Sequence, residues 1–187
     1  MTFVTSGSQP AGSPNPEVLF RDLPRQGNGP KHLWAHQADI LRDYLKHRDD
    51  PDLAIELPTG AGKTLVGMLV GEWRRREFGE RVVYLCPTLQ LSRQAVADAR
   101  AAGISVVDLT GNNVDWDAND RLAYVRADAI AVAHYNAVFN ASPQLDDAAL
   151  LILDDAHAAA GSVADNWTVR FDHGTKPQST DGLMLLR

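Results

Sequence analysis

Residues 57–64 read "LPTGAGKT", the end of the pattern G-x-x-x-x-G-K-[ST], although Leu57 stands where that pattern opens with glycine. This stretch constrains the fold more than any other, because it works in only one setting: strand before, tight turn, helix after. Gly60 and Gly62 allow a turn whose successive N–H groups point at one anion. A helix starting near Lys63 adds its positive end to the same place. The flanks supply the setting. The apolar run "DLAIEL" precedes the loop and predicts a short strand. "KTLVGMLVGEWRRR" follows, apolar on nearly every side until Trp73, as a helix lying against a sheet is. Gly67 and Gly71 weaken that helix and point to close helix–sheet packing.

The same rhythm continues along the chain. "RVVYLCP", "ISVVDL", "AIAVAHY" and "AALLILDDAH" are continuous apolar runs without alternation, the pattern of strands covered on both faces in parallel sheets. Between them, "TLQLSRQAVADARAAG" predicts a helix with a glycine stop, and "GNNVDWDAND" a polar loop. Upstream, "LWAHQADILRDYLKHR" places Leu33, Gln37, Ile40, Leu41, Tyr44 and Leu45 at helical spacing before "DDPD" ends it. Strand–helix alternation predicts an α/β fold, a three-layer sandwich around a mostly parallel sheet, with function at the carboxyl ends of the strands. Residues 1–30, rich in Pro, Gly, Ser and Asn, are expected to form a disordered arm. Residues 31–166 are the expected domain. Residues 167–187 lose the rhythm and read as an irregular tail, the mark of a truncation or a shifted reading frame.

Bulk properties narrow the function. A net charge of −6 argues against a protein that passively coats nucleic acid, and leaves room for one that grips a strand through helix N-termini. The single cysteine, Cys86, forms no internal disulfide and reads as a core residue; no C-x-x-C pair offers a zinc site. No apolar run approaches the roughly 18 residues that span a bilayer, and the start of the chain lacks a secretory pattern. The expectation is a cytoplasmic protein without a membrane partner.

The chemistry sits at two places. In the loop, Pro58, Thr59, Gly60, Ala61 and Gly62 supply backbone. Lys63 reaches β- and γ-phosphates, and Thr64 offers a hydroxyl to Mg²⁺. Asp154 and Asp155 close a later strand. They either cap the next helix or hold the metal and activate water, and together with the loop the second reading is preferred. Arg74, Arg75 and Arg76 read as a solvated helix end rather than a phosphate contact. Trp116 either stacks on a base or folds back on its own domain, the second being preferred, and His134 and Tyr135 read as structural.

These motifs resemble the superfamily 2 helicases and translocases of the DEAD/DEAH-box kind, in their N-terminal RecA-like P-loop NTPase domain. "LPTGAGKT" is similar to motif I, where the first glycine is often missing; "VVYLCPTLQLSRQ" to motif Ia; "AIAVAHYNAVFN" to the Ib region; and "LILDDAH" to motif II. The resemblance implies ATP and Mg²⁺ as cofactors, with Lys63 and Thr64 on the triphosphate and metal and Asp154 on the metal. It implies that Asp155 orients or deprotonates the attacking water and that His157 links the nucleotide state to nucleic acid. Gln37 is placed like the glutamine that reads adenine. Pro87, Thr88 and Gln94, and the segment around His134 to Asn136, would lie along a bound strand, DNA being the expected nucleic acid. The sequence departs from the family at Asp155, usually Glu, at Trp34, often Arg, and at Ala133, commonly Thr. The resemblance also implies a second RecA-like domain that supplies arginines for hydrolysis, worth about 10³–10⁵ in rate; no motif of such a domain follows His157. The alternative is a non-catalytic remnant that binds ATP–Mg²⁺ without turnover.

Overall fold

Four parallel strands run side by side in the order β2-β3-β1-β4. They are β1 (Val82–Cys86), β2 (Val106–Asp108), β3 (Ile130–His134) and β4 (Leu150–Leu153). This is a computed structural model, and it describes residues 13–167. In register, Cys86 of β1 stands beside His134 of β3 on one side, and Leu85 beside Leu153 of β4 on the other. The carboxyl ends of the motif-bearing strands are therefore neighbours.

The pleat sends alternate residues to opposite faces, and each face has its own helices. Val82, Tyr84 and Cys86 join Ile130 and Val132 in a core with α1 (Pro16–Asp22), α2 (Ala35–Lys46), α3 (Lys63–Phe78) and α4 (Leu89–Ala101). Val83 and Leu85 join Ala131 and Ala133 in a second core with Tyr124 of α5 (Ala118–Val125) and Ala159 of α6 (Ala156–Trp167). The expected α/β sandwich of three layers is the architecture observed.

Gly67 and Gly71 of α3 explain how closely that helix lies on the sheet. A Cβ at Gly67 would sit 3.0 Å from the Tyr84 ring and 3.2 Å from Ile152, and one at Gly71 3.0 Å from Val82 and 3.1 Å from Ile152. Helix propensity is given up there for contact with β1 and β4.

Four expectations are corrected. First, the segment 13–30 is not a loose arm. Asn15 caps α1 by accepting from Val18 N–H at 2.8 Å, and Leu19, Phe20 and Leu23 are buried. Trp73 Nε1–H donates to Ser13 O at 2.8 Å. A Pro- and Gly-rich composition hid seven residues, "PEVLFRD", whose apolar side chains find a partner in α3. Second, residues 52–57 form no strand: Leu53 and Ile55 are 43% and 41% exposed, and only Leu57 is buried. A strand needs a ladder partner, and within the described residues this segment has none. Third, β4 is not buried on both faces. Among the described residues it is the edge strand of the sheet, half-buried along most of its length, with Leu153 37% exposed. Fourth, the polar loop after β2 contains the start of α5, where Asp117 accepts from Asn119 N–H at 2.7 Å. The expectations for residues 1–12 and 168–187 fall outside the described residues.

Arg74 to Arg76 are also not a solvated end. Glu72 is fully buried, and Arg75 binds its carboxylate through two nitrogens at 2.9 Å each. Arg75 also donates to Ala127 O at 2.8 Å. Arg76 adds a second cation to Glu72 at 2.7 Å, and Arg74 grips Glu80 at 2.6 Å. A carboxylate removed from water needs such partners; Arg75 thereby ties α3 to the turn before β3, and Arg74 ties it to Glu80 just before β1.

Candidate functional site: the glycine loop and the acidic strand end

The loop is built by its two glycines. Gly60 and Gly62 have φ of 81° and 77°, the left-handed region that side-chain-bearing residues avoid. Gly62 sits at the N-terminal end of α3, where Val66 N–H donates to its carbonyl at 3.2 Å. Pro58 and Ala61 close the preceding turn through Ala61 N–H to Pro58 O at 3.1 Å. Leu57, at the position of the missing glycine, is buried in the first core and anchors the loop. Thr59 lies exposed in the turn. Lys63 is exposed at the first position of α3, and Thr64 is half-buried beside it.

Gln37 braces this loop from below. It is buried, its Nε2 donates to Ala61 O at 3.0 Å, and its Oε1 accepts from Trp34 N–H at 3.0 Å. His36 Nε2 also lies 3.1 Å from Ala61 O. Both ends of the Gln37 amide are thus engaged by main chain, so the structure places this residue against the loop backbone and not with a free edge toward a ligand.

The acidic pair meets the loop. Asp154 follows β4, beside β1, on which α3 packs. Asp154 N–H donates to Leu85 O at 2.9 Å, which fixes it at the end of β1, and the Tyr84 phenol responds to both Thr64 and Asp154. Burial raises the Asp154 carboxyl above its ordinary value; Lys63 pulls it down, Asp155 pushes it up, and the Tyr84 hydroxyl opposes the rise. Lys63, Thr64 and Asp154 therefore share one electrostatic neighbourhood. Burial, followed by the charge of Asp154, also drives the Tyr84 phenol far up, so it stays a neutral donor. The same two causes push the Cys86 thiol up to about 12, an inert core group as expected.

Asp155 has φ of 57°, unusual for a residue with a side chain. Its turn is held by Tyr135, whose hydroxyl lies against the Asp154 carbonyl and 3.1 Å from that of Asp155. Burial and both aspartates raise the Tyr135 phenol, which keeps its proton for this contact. His157 is exposed in the first turn of α6. Sequence reasoning missed Tyr84 and gave Tyr135 no definite task. A signal existed for the first: a lone hydroxyl in the aliphatic run "VVYLC" needs a polar partner once buried.

On the neighbouring edge, Pro87 is half-buried and Thr88 caps α4, its hydroxyl accepting from Leu91 N–H at 3.2 Å. Gln94 is exposed, its amide donating to Asp98 at 2.8 Å. His134 turns back toward Cys86 O, 3.4 Å away.

A family model described as DEAD/DEAH box helicase matches residues 34–184 of this sequence. The chain belongs to the DEAD/DEAH box helicase family. Among curated proteins none matches the chain. The family match spans α2, the loop, the acidic pair and α6, and runs on past the described residues. As a helicase-type domain it is expected to take a nucleoside triphosphate, and the residues present fit that group with Mg²⁺. The space around Gly60 is open enough that a Cβ there would meet nothing within 4 Å. Among the described residues, no three His, Cys, Asp or Glu side chains gather around a metal. That suits Mg²⁺, which keeps several waters and takes only one or two protein ligands beside phosphate oxygens. No helix among the described residues is long and apolar enough to cross a membrane.

Proposed function

We propose that the chain is the ATP-binding first motor domain of a superfamily 2 nucleic-acid-dependent ATPase, a helicase or translocase. The observation that carries the proposal is that Asp154, held beside β1 by its N–H donating to Leu85 O at 2.9 Å, stands at the end of the strands on which α3, opening with Lys63 and Thr64, is packed. The charge of Lys63 reaches the Asp154 carboxyl. In this reading the backbone from Pro58 to Gly62 cradles phosphate and Lys63 neutralises its outer oxygens. Thr64 and Asp154 would hold Mg²⁺, which would draw negative charge from the phosphates. Asp155 orients a water and takes its proton on a carboxylate oxygen. Its side chain is one methylene shorter than the glutamate usual there, and turnover is sensitive to such a displacement. His157, two residues further, is exposed where a second domain or a strand would meet the site. Gln37 serves the nucleotide through the loop it braces.

Efficient hydrolysis in this proposal requires a second RecA-like domain. Pro87, Thr88 and the first turn of α4 meet the phosphates of a nucleic-acid strand, DNA before RNA, with Gln94 beside them. The setting is cytoplasmic.

Titration with a fluorescent ATP analogue and Mg²⁺ tests the reading. Binding is expected in the unaltered chain and lost in Lys63→Ala and Asp154→Ala. Equal binding by all three proteins would refute it. The short reach of Asp155 favours one alternative, an ATP–Mg²⁺-binding module without turnover. Single-stranded DNA should accelerate phosphate release, even from a low base, in the motor; it should leave the rate unchanged in the module.

A further inference from the structure

A second cleft opens at the carboxyl edge of the sheet, away from the glycine loop. Its volume is about 380 Å³, within the range of small-ligand sites. The residues following β2 and β3 wall it, and five of them are amides: Asn112, Asn113, Asn136, Asn140 and Gln144. Trp116 forms the aromatic wall and His134 part of the floor. Among the described residues, no Lys, Arg, Asp or Glu lines it. Such a lining suits a neutral, flat ligand with donors and acceptors on its edge. A carboxylate or phosphate would find no counter-charge inside.

The walls are held in place before any ligand arrives. Trp116 Nε1–H donates to Thr110 O at 3.1 Å, and its ring packs on the second core. Asn113 donates to the Gln144 side chain across the cleft, and Gln144 Nε2 donates to Ser142 O at 2.8 Å. Asn140 donates to Asn136 O and accepts from Ser142 N–H at 2.5 Å. Asn112 differs: it begins the short turn Asn113–Asp115, yet its side chain caps nothing there. It is an exposed residue of the lining. A fixed indole beside an amide ring is a combination that stacks a nucleobase and pairs with its edge.

The surroundings say how a base would arrive. His134 is the register partner of Cys86, and Pro87 and Thr88 follow Cys86 directly. The cleft is therefore next to the start of α4, where Leu89, Gln90, Arg93 and Gln94 line an open groove. That groove offers a cation and helix-end N–H groups for phosphate, and the cleft offers a neutral pocket for what the phosphate carries.

We propose that the cleft beside Trp116 receives one nucleobase of a single-stranded nucleic acid whose phosphates lie at the start of α4. The inference rests on the nucleic-acid reading above and adds to it a base-holding site that gives the strand a fixed footing on this domain. Amides both donate and accept, so the site accepts more than one base.

The test uses the full chain and three 12-mers: oligothymidylate, oligouridylate, and an abasic DNA strand with the same phosphates. Fluorescence anisotropy is expected to show the base-bearing strands bound about ten-fold more tightly than the abasic one, the effect of a single base–aromatic stack. Trp116→Ala should erase that preference without altering the abasic affinity. Should Trp116→Ala fail to fold, the exposed Asn112→Ala decides, since it should reduce the preference with the fold intact. Tighter binding of the thymidylate or of the uridylate shows which strand, by sugar and C5-methyl together, is preferred, and either order supports the site provided the abasic strand binds more weakly than both. Equal binding of base-bearing and abasic strands overturns the cleft as a base site while leaving strand binding in place. A preference that survives the variants overturns it too. If no strand binds, the nucleic-acid reading itself fails and the inference falls with it.

Discussion

Gly60 and Gly62 share a backbone conformation but not surroundings, and replacing each with alanine separates two costs. Both have φ near +80°, so either alanine is forced into a conformation costing roughly 1–2 kcal/mol. The stiffening of the unfolded chain offsets about 0.4–1 kcal/mol of that strain at both sites alike, so it drops out of the comparison between them. At Gly60 the added Cβ meets nothing within 4 Å, so Gly60→Ala should cost only the backbone term. At Gly62 the Cβ would lie 2.2 Å from Gln37 Nε2. That amide must leave, breaking its bonds to Ala61 O and Trp34 N–H. With Gln37 buried, the loss adds about 1–3 kcal/mol, giving Gly62→Ala a total of roughly 2–5 kcal/mol. Urea unfolding of the two variants measures the difference. A second step isolates its cause: in a Gln37→Ala background, the extra cost of Gly62→Ala over Gly60→Ala should vanish. Equal costs in the unaltered background, or an undiminished gap in the Gln37→Ala background, would refute the brace.

Three further outcomes are expected. Glu72→Ala strands Arg75 in the interior with its main partner gone, and chemical denaturation should register a loss of about 3–5 kcal/mol. Tyr135→Phe removes the hydroxyl that holds the carbonyls of Asp154 and Asp155. Unfolding should show a loss of about 1 kcal/mol, with Mg²⁺–nucleotide affinity falling alongside; an unchanged affinity would remove Tyr135 from the site. Asp154 has a raised carboxyl in the native state. Between its ordinary value of 3.8 and the native value, the folded protein keeps a proton that the unfolded chain has released, so this group stabilises the ligand-free protein in acid and that contribution is lost as pH rises through the native value. Metal binding needs the released form and runs the other way, weakening as pH falls. Stability curves for Asp154→Asn should lack this component, and curves parallel to those of the unaltered protein would contradict the assignment.

The helix after the loop, the glycine stop after α4 and all four strands were legible because each is a local pattern: an apolar run, a cap, a breaker. So was the pairing of "GAGKT" with "LDDAH", since both carry chemistry in their residue order. Residues 52–57 show where local reading ends. "LAIEL" has the side chains of a strand, but a strand exists only through a partner's N–H and C=O groups, and that partner is a matter of the whole fold. Arg74 to Arg76 failed for a related reason. Three cations at a helix end look solvated until one knows that Glu72 beneath them is fully buried. Tyr135 acts from a strand end some twenty residues before the turn it holds, a contact that no sequence spacing announces.

By itself, then, the order of residues determined which stretches could be strand, loop and helix, and which side chains could bind phosphate, metal or water. Those properties reside in single residues and their near neighbours. Tertiary structure alone decided that Asp154 is held beside the end of β1, that Gln37 supports the loop from beneath, and that β4 is the edge strand among the described residues. Each of these depends on strand order and helix docking, set by the burial of side chains drawn from the whole chain, and a hydrogen bond forms only where that packing brings donor and acceptor together.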